Sequence, residues 1–212
     1  MAKRGLFITF EGIDGSGKTT QMHRLAARLQ TAGHSVLETA EPGGTRVGAQ
    51  IRRILLDAAN QDLRPMAELL LYFASRAQNV DELILPALSA GTIVLSDRFT
   101  DSSEVYQGCG RGLGIDTVLT LDRIACRGLV PDLTLLVDID LDTSLARARA
   151  RNELEQHGET RMDEQSTEFY RNVREAYHRL AARESARFRI VDGGRDPDAV
   201  ESGIWDIVSR HV

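Results

Sequence analysis

The sequence predicts an α/β domain in which a five-stranded parallel sheet is flanked by helices. Two patterns carry this. Short apolar runs alternate with longer helical patterns along the whole chain, the order produced when crossover helices return the chain to a parallel sheet. The runs are also β-branched and mostly unbroken by polar positions, as strands buried on both faces must be.

The strands are LFITF at 6–10, SVLET at 35–39, TIVLS at 92–96, LTLLVDI at 133–139 and RFRIV at 187–191. Helical patterns occupy 18–31, 46–57, 66–89, 116–127, 142–151, 166–184 and 197–210. Pro86 falls inside the third, and a proline lacks the N–H that a helix interior needs, so this stretch is expected to be two helices. Two regions fit neither pattern. Residues 97–115 are rich in Gly, Ser and Asp, and 152–165 (NELEQHGETRMDEQ) are charged with no apolar face. Both read as surface loops, where an α/β protein keeps its site.

Composition excludes several classes. With 212 residues, 42% hydrophobic and 27% charged, the chain suits a single domain with a sizeable core. Its net charge of -5 argues against coating a nucleic-acid polymer. No apolar run approaches a membrane span, and the short one after Lys3 and Arg4 leads straight into a glycine loop rather than a cleavage site. The two cysteines, Cys109 and Cys126, have no metal-ligand spacing and read as reduced thiols of a cytoplasmic protein. The five histidines do not cluster.

The chemistry begins at the end of the first strand. Gly12, Ile13, Asp14, Gly15, Ser16, Gly17, Lys18 and Thr19, followed by Thr20, match G-x-x-x-x-G-K-[ST] between a strand and a helix. Glycines let successive N–H groups turn inward, and with the positive end of the following helix they bind phosphate oxygens. This predicts a P-loop NTPase-like fold. Lys18 is one of only two lysines among 26 basic residues. As a compact charge it suits a narrow nest that a planar guanidinium would not. Thr19 can offer its hydroxyl to Mg2+. Asp14 would be repelled by phosphates unless it faced away from them, so it reads either as an acceptor for a hydroxyl of a second substrate or as a solvated loop acid.

A second site is implied at the end of the third strand. Asp97 can hold Mg2+ or its waters and Arg98 can grip a phosphate, or the two can form a strand-end salt bridge. Tyr106 and Gln107 offer an amphipathic wall and an amide, or plain loop packing. Tyr72 and Arg76 share a helix face and suit a nucleobase, the ring stacking and the guanidinium donating; a simple cation–π pair is the alternative. Phe73 points elsewhere and reads as core. Arg147, Arg149 and Arg151 precede the charged stretch and read either as a solvated face or as the arginines of a lid near 147–165.

These segments together resemble the bacterial type of thymidylate kinase, in the nucleoside monophosphate kinase group. The likeness rests on FEGIDGSGKTT, EPGGT (41–45), SDRFTDSS with YQGCGRG (96–112), PDLTLLVD (131–138), RARAR and RFRIVDG, and spans nearly the whole chain. It implies transfer of the γ-phosphoryl of MgATP to dTMP by a homodimer. Gly12 to Thr20 would cradle ATP, and VDGGRD (191–196) would lie under adenine. Asp14 would take the 3'-hydroxyl, Glu41 would line the same pocket, and Arg52 and Arg98 would hold the monophosphate. Tyr72 would stack on thymine, Arg76 would donate to its O4, and Ser103 and Gln107 would complete base recognition. Tyr106 would crowd a ribose 2'-hydroxyl, and Arg161 would join Arg147, Arg149 and Arg151 in the lid. Ala40 replaces an arginine found in many relatives, Tyr72 replaces phenylalanine, and Gly15 replaces the loop arginine of some relatives, which places the helper arginine in the lid. The other readings are another small P-loop nucleotide or nucleoside kinase and a P-loop regulatory binding module.

Overall fold

The computed structural model describes residues 4–155, 161–162 and 165–212, with backbone alone over 151–155. Five strands form one parallel sheet: β1 (Phe7–Glu11), β2 (Val36–Ala40), β3 (Ile93–Asp97), β4 (Leu133–Asp138) and β5 (Phe188–Asp192), in the order β2-β3-β1-β4-β5. Each lies within about one residue of its expected place, because an apolar run bounded by turn residues has few other ways to bury itself.

The helices are α1 (Lys18–Thr31), α2 (Arg46–Leu56), α3 (Pro65–Asn79), α4 (Leu85–Ser89), α5 (Thr100–Ser103), α6 (Ile115–Ala125), α7 (Leu141–Glu155), α8 (Thr167–Arg183) and α9 (Pro197–Val208). On one face of the sheet α1 and α9 bury Met22, Leu25, Leu29, Val200 and Ile204 against Ile8, Phe10, Leu95 and Leu135. On the other, α8 buries Tyr170, Val173, Tyr177 and Leu180 against Leu136 and Phe188. Phe7, Val80, Ile84, Leu88 and Phe99 fill a third cluster.

Two expectations change. The chain stays helical from α3 into α4, because a π-helical turn at Val80–Ile84 widens the register just before Pro86 and accommodates its missing N–H. Most of the stretch 97–115 is not a surface loop; only 111–114 is. Its Gly, Ser and Asp content hides α5 and a second π-helical segment, Glu104–Gly110, which bury Ser102, Ser103, Val105, Tyr106 and Gln107. Those small polar residues are spent on buried hydrogen bonds rather than on turns.

Candidate active site

The site forms at the carboxyl ends of the central strands, where β1 and β3 run side by side. After Glu11 the chain turns through Gly12 at φ 139°, so close to β4 that a Cβ there would lie 2.4 Å from the carbonyl oxygen of Val137. Gly15, at φ 77°, packs against α7, and its Cβ would lie 2.3 Å from the carbonyl oxygen of Ser144. No arginine could stand there without moving α7. Ser144 returns a hydroxyl hydrogen bond to the backbone oxygen of Asp14. The loop ends at Gly17 in the left-handed region, and α1 begins with neither a side-chain cap nor an acid in its first turn. Its first N–H groups therefore face an open cavity with nothing negative of their own helix to offset them. Lys18, Thr19, Thr20, Arg147, Gly193 and Arg195 line that cavity.

A second cavity lies beyond β3, with Arg52, Tyr72, Arg76, Ser103, Tyr106 and Gln107 in its wall. Arg98 sits at its inner end in a backbone conformation rare for a side-chain-bearing residue, φ 73°. Two hydrogen bonds pin it there: its N–H donates to the Phe10 oxygen at 2.9 Å, and Ser96 Oγ donates to its carbonyl at 2.7 Å. The guanidinium donates to Asp14 Oδ1 at 2.8 Å and to Ser102 Oγ at 3.0 Å, and lies 5.0 Å from the Tyr106 ring centre.

A carboxylate of the second cavity links it to the lysine of the first. Asp14 Oδ1, which accepts from Arg98, also lies 3.7 Å from Lys18 Nζ. Burial, then the charge of Arg98, lowers the pKa of Lys18. Asp14 lines the second cavity and not the α1 cavity, and the two cations hold it between them. Beneath this junction Thr19 Oγ1 hydrogen-bonds to Asp97 Oδ2, while Asp97 Oδ1 is buried with no hydrogen-bond partner among the described residues.

A family model described as thymidylate kinase matches residues 10–204. A thymidylate kinase of Pelobacter propionicus is 51% identical, the match covering 94% of this chain and 92% of that one. Another, of Trichlorobacter lovleyi, is 51% identical over 96% of each chain. The crystal structure of thymidylate kinase from Ehrlichia chaffeensis superposes with a TM-score of 0.79 at 30% identity, covering 97% of this chain and 99% of that one. The chain belongs to the thymidylate kinase family.

The kinase departs from its sequence reading in the lid. Arg147 stands at the wall of the α1 cavity, with Nη1 3.5 Å from the Gly193 oxygen, but Arg149 is exposed and lines neither cavity. The Arg151 side chain and most of 152–165 lie outside the described residues. Within that stretch Arg161 and Met162 are buried, which corrects their placement in a solvated loop. Arg161 is tied to the Leu55 carbonyl at 2.5 Å and to Glu68 at 2.8 Å. Periodicity could not find this, because the partners of Arg161, the Leu55 carbonyl and Glu68, lie on α2 and α3.

Arg76 is also more enclosed than expected. It is 1% exposed, donates from Nε to Glu41 at 2.5 Å, and reaches Ser103 Oγ and the Phe99 carbonyl at 3.1 Å each. The rings nearest its guanidinium are Phe73 at 4.7 Å and Phe99 at 5.3 Å, so Phe73 is core and also an arginine platform. Ile13 points into the α8 core and brings only its backbone to the loop. Burial pushes the Tyr72 hydroxyl up to about 12, with Glu68 adding to it.

Sequence reasoning missed Glu11, the last residue of β1. Its buried carboxylate accepts from Phe99 N at 2.8 Å, Ser102 Oγ at 2.6 Å and Tyr177 OH at 2.7 Å. Ser102 and Tyr177 thus spend their protons on Glu11 and turn lone pairs toward Arg98. An acid inside an apolar strand just before a glycine loop was the available signal. Burial, reinforced by Asp101, raises the Glu11 pKa to about 7. A carboxyl that binds its proton more tightly when folded stabilises the fold below its unfolded pKa, and loses that contribution as pH rises through the folded value. Between about pH 4.5 and pH 7 the wild type should therefore lose stability relative to Glu11→Gln, by about 3 kcal/mol in the limit. Urea unfolding of both proteins across this range checks the difference, and a difference independent of pH would refute it.

Proposed function

We propose that the enzyme transfers the γ-phosphoryl group of ATP to dTMP, forming dTDP and ADP. The observation that carries this reading is the Asp14 carboxylate of the second cavity, which lies between Arg98 at the end of β3 and Lys18 of the α1 nest. A nucleotide in each cavity would bring its phosphates to that junction.

The glycine loop and the uncapped α1 suit the polyphosphate of ATP, and Gly193 and Arg195 suit a base beyond it. In the other cavity Tyr72 offers a stacking face, with Arg76, Ser103 and Gln107 as polar groups for a pyrimidine edge and Arg52 and Arg98 for its phosphate. Tyr106 and Asp14, in the same wall, are the groups that would meet a ribose, and Glu41 holds Arg76 from behind. The acceptor phosphate is already an anionic nucleophile, so no general base is required. The residues act by alignment and charge neutralisation: Lys18 and Arg98 draw donor and acceptor together, and Arg147 reaches the donor side. Its place supports a covering role for α7 at Arg147, within a single domain.

The residues also fit Mg2+. Thr19 Oγ1 and Asp97 stand together at the nest, and the unpartnered buried Oδ1 of Asp97 is an oxygen donor of the kind this cation requires. Among the described residues no group of three His, Cys, Asp or Glu side chains could hold a metal, so the remaining ligands would be phosphate oxygens and water. When bound, the ion would neutralise charge on the transferring phosphates.

Homodimerisation is supported by Ile54, Met66, Leu70 and Ile124, exposed on α2, α3 and α6. A cytoplasmic location is supported by two free cysteines. No helix among the described residues is long and apolar enough to cross a membrane.

The test is ADP release with separate addition of dTMP, dUMP, dCMP, AMP and GMP. The thymine methyl is worth about 1–3 kcal/mol, so dUMP should react about 10- to 200-fold less efficiently, and dCMP far less again. Equal use of AMP or GMP would indicate another nucleotide kinase. No monophosphate-dependent release would indicate a binding module.

A further inference from the structure

Glu68 lies on α3, is 1% exposed, and touches no part of the phosphate chemistry. Four donors converge on it. Oε1 accepts from Gln107 Nε2 at 2.9 Å and Arg111 Nε at 3.3 Å. Oε2 accepts from Arg111 Nη2 at 3.3 Å and lies 2.8 Å from Arg161 Nη1. Two guanidinium groups from separate segments thus fix the carboxylate, and the fixed carboxylate in turn faces one end of an amide.

That amide belongs to the wall of the second cavity. A primary amide has a donating end and an accepting end, and its neighbours decide which is which. A carboxylate only accepts, so Glu68 draws the nitrogen of Gln107 and leaves the carbonyl oxygen as the end available to a ligand. An acceptor at that position suits a pyrimidine with a hydrogen on N3, as thymine and uracil have. Cytosine carries a lone pair on N3, which would meet the oxygen lone pair.

We infer that Glu68 is a specificity-determining positioning residue, which selects pyrimidines bearing N3–H by holding the Gln107 amide in one orientation. This rests on the reading that the second cavity takes a pyrimidine monophosphate. Arg111 and Arg161 extend the arrangement, because Arg111 also donates to Gln165 at 2.7 Å and Arg161 to Leu55. The orientation of one base-facing amide is thereby anchored to α2 and to the chain before α8.

The test is Glu68→Gln in the full chain. An amide at position 68 presents either end, so Gln107 is free to turn its nitrogen toward the ligand. Steady-state kinetics give KM for dTMP and for ATP, and inhibition against dTMP gives Ki for dCMP. The ratio of Ki for dCMP to KM for dTMP should fall about tenfold or more, with KM for ATP held within about twofold. A purely structural Glu68 would depress turnover with every nucleotide and leave the ratio where it was; a folded variant with that behaviour overturns the inference. If Glu68→Gln does not fold, Glu68→Asp decides. It retains the negative charge for both arginines but draws back from Gln107, and the ratio should fall about threefold; an unchanged ratio overturns the inference. A wild type that fails to phosphorylate dTMP sinks the substrate reading itself, whereas an active wild type whose ratio ignores position 68 sinks only the role of Glu68.

Discussion

Lys18→Ala is expected to lower kcat by about 10³-fold or more while leaving the fold intact. Lys18 is 6% exposed, at the first turn of an uncapped helix, and 3.7 Å from the carboxylate that Arg98 also grips. It brings a positive charge to the wall of the α1 cavity. Removing it takes away a charge that must neutralise the transferring group, and single contacts of that kind are worth about 10²- to 10⁵-fold. Burial already lowers the Lys18 pKa, so deleting the ammonium also removes a desolvation cost. Stability should therefore change little. Lys18→Arg is expected to be nearly as inactive, because the planar head does not fit the nest. Rates from ADP release and a circular dichroism melt check both halves. A variant within tenfold of wild type would overturn the assignment of the nest.

Arg76→Ala should cost the most stability, about 3–5 kcal/mol, because it breaks a buried ion pair and leaves Glu41 alone. Glu41 is 4% exposed; burial pushes its carboxyl up, and Arg76, then Asn79, hold it down. Without the guanidinium the carboxyl must take up a proton or remain charged in a dry pocket, while Ser103 Oγ and the Phe99 carbonyl lose a donor. Such a loss is a large share of the roughly 5–15 kcal/mol that holds a domain together. Adding Glu41→Gln should recover part of it, since the unpaired charge is then gone. Urea unfolding of the single and double variants measures this, and a single-variant loss under about 1 kcal/mol would show that the pair is not the anchor. At a temperature where the variant is folded, KM for dTMP should rise and KM for ATP should hold; equal rises would remove Arg76 from the base pocket.

What was legible in the sequence divides by the range of the interaction. The strands, α1 and the loop from Gly12 to Thr19 were legible because each is a local pattern whose neighbours in the chain are also its neighbours in space. The junction of Lys18 with Arg98 was foreseen only through motifs, since β1 and β3 are adjacent in the sheet but about eighty positions apart in the chain. The burial of 100–108 was not legible: its serines and threonines look like loop, and only the carboxylates of Glu11 and Asp122 show what they are for. Glu11 and Glu68 were passed over, and Arg161 was assigned to a lid, for the same reason. A charged residue with a buried partner from another segment leaves no periodic trace.

Arg98 has a consequence for anyone redesigning this molecule. Its φ of 73° suits glycine, and an arginine held there carries a backbone penalty of about 1 kcal/mol. A scheme that improves heat tolerance by relaxing uncomfortable residues would choose that codon early. It would gain a sturdier scaffold and lose the guanidinium for which the discomfort is tolerated, so position 98 belongs on the protected side of any such scheme.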